Sequence, residues 1–135
     1  MSVIVNDQGF QPDDLTTVFV AFGEAANDVE ALDVPSDARP HTLVNHIDCT
    51  SIIRIDFPSS ADGRGFTIAR QLRRMGFTGR LRARGHVISD QYAMARRCGF
   101  DEIEISDELA ARQPEAEWLF RTDWQQNDYQ SRLRG

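Results

Sequence analysis

Apolar and polar positions along this chain fall into two alternating rhythms. Ala31–Val34, Ile52–Phe57, Gly79–Ala83 and Glu102–Ile105 are short runs whose apolar residues recur at every second position or sit side by side, the pattern of strands. Between them lie stretches with three-to-four spacing, which predict helices over Arg39–His46, Phe66–Met75 and Asp90–Cys98. In the middle helix Phe66, Ala69, Leu72 and then Met75 or Phe77 form one face, with Arg70, Arg73 and Arg74 off it. Gly76 and Gly79 supply the stop and the turn. In the last helix Ser89 is the expected N-cap, Asp90 suits the positive helix start, and Gly99 ends it. Tyr92, Ala95 and Cys98 would be its apolar face.

Strands alternating with helices of about ten residues argue for α/β architecture, a small parallel sheet of right-handed βαβ units. The pattern leaves two arrangements open, a half-barrel and an open doubly wound sheet. With 135 residues the chain has room for a single domain over 1–135. Residues 1–28 read as an irregular N-terminal strand or hairpin segment, 29–106 as the βαβ core, and 107–135 as a C-terminal helical tail broken at Pro114. Trp118, Leu119 and Phe120 are expected to form a packing face, the alternative being that the two tryptophans, Trp118 and Trp124, form a partner surface instead. A half-barrel exposes an edge, so a homodimer is a natural expectation. Ligands of parallel sheets sit at the carboxyl ends of the strands, here the loops Pro58–Gly65 and Arg84–Ser89.

Charge sharpens this picture. The chain has fifteen arginines, no lysine and a net charge of −6, distributed as −8 over residues 1–57, +7 over 58–100 and −5 over 101–135. A basic centre between acidic flanks points to an anionic ligand or an acidic partner. The acidic total and the lack of any nucleic-acid module argue against nucleic acid. Without lysine there is no Schiff-base chemistry and no P-loop. No apolar run approaches the ~18–20 residues of a membrane span. The opening MSVIVNDQGF has no basic, long-apolar signal pattern, so the expected location is the cytoplasm. Cys49 and Cys98 form no CxxC pair, and two thiols cannot hold a four-cysteine cluster.

The residues with the clearest chemistry lie in the two loops. Asp62-Gly63-Arg64-Gly65 follows a strand and opens a helix. Its glycines allow close backbone approach, helix-start N–H groups favour an anion, and Arg64 could clamp one. A tight structural turn would use the same residues. Arg80, Arg82 and Arg84 alternate with Leu81 and Ala83, so they share a face. That face is either solvated or aims Arg82 or Arg84 over the carboxyl edge toward Arg64. The candidate anion site is therefore Asp62, Gly63, Arg64, Gly65, Arg82 and Asp90. His86, in the second loop, is the candidate acid or base. Asp48 and Asp56 are either helpers or surface carboxylates. His41, His46 and Cys49 lack a fourth metal ligand, so no metal is expected, and no cofactor motif is present.

The stretches FPSSADGRGFTIARQLR and GFTGRLRARGHVISDQYAMARRCGFDEIEI resemble a bacterial family known as domain of unknown function 934, whose members are commonly described as probable oxidoreductases or accessory proteins of sulfite reduction. The likeness rests on Phe57, Pro58, Asp62-Gly63-Arg64-Gly65, Ala69, Arg70, Leu72 and Arg73, then Leu81-Arg82-Ala83, Gly85, Val87, Asp90-Gln91 and Arg97-Cys98-Gly99-Phe100-Asp101. Tyr129-Gln130 is similar to a terminal family feature. Ser60 stands where an aromatic is usual and His86 where an acid is expected. The resemblance implies an accessory role in assimilatory sulfite and sulfur metabolism: binding a small oxyanion such as sulfite or sulfate, or docking on sulfite reductase. Arg64 and Arg82 would hold the anion, Asp62 and Asp90 orient them, and Gly63 and Gly65 shape the loop. An enzyme of barrel-like ancestry acting on a phosphorylated or sulfonated metabolite, and a pure protein-interaction module, are the alternatives.

Overall fold

The computed structural model describes residues 2–15, 18–24 and 29–122. It is a seven-stranded sheet with strands β1 (Ser2–Asn6), β2 (Gly9–Gln11), β3 (Val20–Ala21), β4 (Ala31–Val34), β5 (Ile52–Phe57), β6 (Arg80–Gly85) and β7 (Glu102–Ser106). Their order across the sheet is β2-β1-β7-β6-β5-β4-β3. From β3 to β7 every neighbouring pair is parallel, and β1 closes the far side antiparallel to both β2 and β7.

That order decides what the sequence left open. A doubly wound sheet reverses direction at a switch point, whereas here five parallel strands follow one another in chain order. From β4 onward the crossovers all cover one face. They are a 3-10 helix, Pro40–His46, between β4 and β5; helix α1 (Arg64–Arg74) between β5 and β6; and helix α2 (Tyr92–Cys98) between β6 and β7. Helices α3 (Asp107–Arg112) and α4 (Glu115–Leu119) follow β7. The arrangement is half-barrel-like, with one helix-covered face and one face free of crossover helices.

Strand alternation sorts the side chains between the two faces. Ile53, Ile55 and Phe57 of β5, Leu81 and Ala83 of β6, and Ile103 and Ile105 of β7 lie in the core with Leu43, Phe66, Ile68, Ala69, Leu72, Ala95 and Cys98. Phe57 packs against Phe66, centroids 4.9 Å apart, and Phe100, 5.8 Å apart. Gly65 is required by this packing, because a Cβ there would lie 2.5 Å from the Phe57 ring.

The core faces of α1 and α2 are those the spacing predicts, with Ile68 added. Three local expectations need correction. The first predicted helix is a 3-10 helix. Ser89 opens a 3-10 turn, Ser89–Gln91, and makes no cap bond through its side chain; α2 starts only at Tyr92. Of the expected packing trio only Trp118 is buried, its ring edge-on to Tyr92 at 6.3 Å, while Leu119 and Phe120 are exposed. Trp124 and the Tyr129-Gln130 pair lie outside the described residues. No described helix is long and apolar enough to cross a membrane.

Candidate active site at the carboxyl edge

The face opposite the helices carries charge in rows, because the strand register aligns it. Asp33, Arg54, Arg82 and Glu102 are register partners across β4–β7, and Asp56, Arg84 and Glu104 form the next row toward the carboxyl edge. Arg54 donates to both oxygens of Asp33, at 2.6 and 2.7 Å, and to Glu104 at 3.1 Å. Arg82 is fully buried and donates to Glu102 at 2.5 Å, to Glu104 at 2.9 Å and to Asp13 at 3.2 Å. Arg80 pairs with Glu102 at 2.5 Å and with Asp14 at 3.2 Å. Phe19 lies over the Arg54 guanidinium at 3.9 Å, so the segment before β3 covers the lower row. Burial alone would lower the Arg82 pKa, but the charge of Glu102 and the hydrogen bonds Arg82 donates to Asp13 and Glu102 outweigh it and hold the pKa raised. On this face the basic segment of the sequence is neutralised by carboxylates from both acidic flanks.

This placement separates the residues expected to act together. Arg82 is enclosed among carboxylates in the middle of the sheet. Arg64, at the start of α1, donates through Nε and Nη2 to Asp62, at 3.0 and 2.7 Å, and through Nη2 to Ser36 at 3.0 Å. Asp62 also accepts from the Arg64 backbone N–H at 3.1 Å, and the Arg64 contacts hold its pKa down at about 2. The two arginines share no partner among these contacts. Gly63 is the N-cap of α1, and Gly65 is a packing residue. Asp90 is exposed and paired with Arg121. His41 and Cys49 are exposed and His46 is buried beside Phe22; no group of three metal-binding side chains occurs among the described residues.

Arg84 has the position that Arg82 lacks. One pleat nearer the carboxyl edge, it is half exposed and touches Glu104 through Nε at 3.4 Å. It lines a cleft of about 380 Å³ with Asp56, His86, Glu104, Glu108 and Arg112. A second cleft of about 370 Å³, lined in part by Ser60, Ile88 and Gln113, shares His86, Leu109 and Arg112 with the first. The loops around it are tied together: Gln91 donates to the Ser60 carbonyl at 2.8 Å and accepts from the Ile88 N–H at 3.1 Å, and Gln113 accepts from the Ser89 N–H at 2.8 Å. The His86 N–H donates to the Phe57 carbonyl at 3.0 Å. Beneath it Gly85 has φ +118° and a Cβ there would lie 2.6 Å from the same carbonyl, so only glycine lets β6 leave the sheet this close to β5.

Arg112 escaped the sequence reading because only two carboxyl-end loops were considered. Ser106 ends β7 and caps α3 by accepting from the Leu109 N–H at 3.1 Å. That cap starts a helix whose last turn brings Arg112 to the same edge, and the pattern Ser-Asp-Glu after a strand was the available signal. Chemically, the cleft offers two guanidinium groups and an imidazole to an anion, beside a carboxylate, Asp56, that has no hydrogen-bond or ion-pair partner among the described residues.

Neither a curated protein nor a solved structure matches the chain. A family model described as bacterial protein of unknown function (DUF934) matches residues 31–134, which include every cleft residue named above. The chain belongs to that family.

Proposed function

We propose that this protein is an accessory component of sulfite-linked sulfur metabolism that binds a small oxyanion, held by Arg84, His86 and Arg112 in the cleft at the carboxyl ends of β5–β7. The observation that carries this is the division of the arginines. Those in the lower rows are committed to carboxylates, whereas Arg84 is half exposed and Arg112 is exposed at one cleft. Two charge-assisted hydrogen bonds of about 1.5–3 kcal/mol each correspond to affinity on the order of millimolar to micromolar. The sulfur link rests on the family resemblance; the anion chemistry rests on the cleft.

A thermal-shift screen with sulfite, sulfate and phosphate at fixed ionic strength tests it. A ligand at a hundred times its dissociation constant adds about 2.7 kcal/mol of stability. The expected result is a selective upward shift that Arg84→Ala/Arg112→Ala abolishes and Arg64→Ala keeps. A flat response to every anion would remove the proposal.

Docking on a partner such as sulfite reductase is the second reading, favoured by a different surface. A groove of about 420 Å³ between α1 and α2 is lined by Arg70, Arg74 and Met94, and neither helix contains an acidic residue. Charge complementarity fits it to an acidic protein surface. Loss of sulfite reductase pull-down in Arg70→Glu/Arg74→Glu, with no anion response in the parent protein, would favour docking over anion binding.

A further inference from the structure

The cleft is larger and less uniformly charged than an inorganic oxyanion needs. Small-molecule sites usually occupy roughly 300–1,000 Å³, and a water molecule takes about 30 Å³ of liquid. By that scale the cleft of about 380 Å³ has room for on the order of ten non-hydrogen atoms, whereas sulfite and sulfate have four and five. The adjoining cleft extends the space past His86 and Arg112 toward Ile88 and Gln113.

The two acidic side chains on the strand floor differ in a way that matters. Glu104 is contacted by three guanidinium groups, from Arg54, Arg82 and Arg84. It has no unmet demand for a donor. Asp56 is half-buried in the same row, next to Arg84 in register. Arg84 nevertheless turns to Glu104, which leaves Asp56 without an ion-pair partner among the described residues. A partly buried carboxylate is costly to leave unpaired, and a hydrogen-bonded cation offsets that cost. Asp56 therefore presents an acceptor to the cleft on the same floor as Arg84, the guanidinium that can take an anion.

We infer that the ligand is a small zwitterion: an oxyanion head, sulfonate or phosphate, on Arg84, His86 and Arg112, with an ammonium group a few bonds away on Asp56. This rests on the oxyanion reading above and extends it from the head group to the whole molecule. Arg82 and Arg64 take no part, and the chemistry of the head is left open between sulfur and phosphorus.

Matched pairs of probes that differ only in the amine test this by calorimetry: 2-aminoethanesulfonate against ethanesulfonate, and phosphoethanolamine against ethyl phosphate. The amine should tighten binding about tenfold, the size of one charge-assisted hydrogen bond. Asp56→Asn should reduce that gain to less than about twofold, while ethanesulfonate and ethyl phosphate still bind, at least as tightly as before because a neighbouring negative charge is gone, which also reports that the variant is folded. The sulfonate and phosphate pairs separate the two head groups. If the amine-free probes bind and the amine adds nothing, the zwitterion is wrong and oxyanion binding survives. If no probe of either pair binds, oxyanion binding fails with it. A gain that persists in Asp56→Asn would place the ammonium elsewhere and overturn the assignment.

Discussion

The two faces of the sheet come from the same strands and are held together by opposite means. On one, Ile53, Ile55, Leu81, Ala83 and Ile103 are buried beneath α1 and α2. On the other, Arg54 and Arg82 are enclosed by Asp33, Glu102, Glu104 and Asp13. The first face gains from removing apolar surface from water, at about 25 cal/mol per Å². The second recovers in ion pairing what it loses in desolvation, a balance that often comes out near neutral. The lesson is that a concentration of arginine in sequence is not a basic surface. Alternation on β6 puts Arg80, Arg82 and Arg84 on one line, and the register then hands each a carboxylate. Of the three, Arg84 alone lines the cleft at the carboxyl edge.

The contrast can be broken most severely on the ionic side. Arg82→Ala leaves Glu102 and Glu104 short of a buried partner and is expected to cost about 3–5 kcal/mol in urea unfolding. Leu81→Ala, its neighbour on the opposite face, should cost about 2–5 kcal/mol through a cavity. The mechanisms separate with pH: against the raising effect of burial, hydrogen bonds from the Leu15 N–H and Arg82 hold the Asp13 pKa below its ordinary value, so part of the Arg82→Ala penalty should disappear in acid as Asp13 protonates, and the Leu81→Ala penalty should not. A flat pH response from both would show that the ionic face acts only as packing.

Gly65→Ala probes the apolar side by overfilling it. The new Cβ meets the Phe57 ring, and the expected loss is about 1–3 kcal/mol, read as a lower urea midpoint. A smaller effect is expected from Asp62→Asn. The Asp62 pKa of about 2 lies below the ordinary value of about 3.9, so its stabilisation is present above pH ~4 and is lost as pH falls through about 2. Wild type should therefore exceed Asp62→Asn in stability at pH 7, with the gap closing between pH 4 and pH 2. A constant gap would mean that the Asp62–Arg64 pair contributes nothing through charge. Smallest of all, Arg112→Ala should change stability by no more than about 0.5 kcal/mol while weakening the anion response about tenfold or more.

Much of the architecture was legible because period-two and period-four patterns were clean. The bounds of β4 and β5 agree with the pattern, and the apolar stripes of α1 and α2 are buried as expected. Strand order was not legible, since it depends on which face each crossover covers. The candidate cleft was legible only in part. Its location at the carboxyl ends followed from parallel-sheet logic, and Arg84 and His86 were among the residues considered. Arg82 was misplaced because alternation gives a face but not a depth: the partners that enclose it, Asp13, Glu102 and Glu104, come from distant segments. Arg112 needed the third loop, and the pairing of Arg64 with Asp62 and Ser36 needed the fold of the β4 loop.

The most direct test is to map where an oxyanion binds, by titrating sulfate into ¹⁵N-labelled protein and following backbone amide shifts. Saturable shifts clustered at Gly85, His86 and Arg112, with Gly63–Phe66 unmoved, are the expected result. Shifts centred on Gly63–Phe66 instead, with the carboxyl-edge cleft silent, would return the anion to the Asp62–Gly65 turn and contradict the central claim.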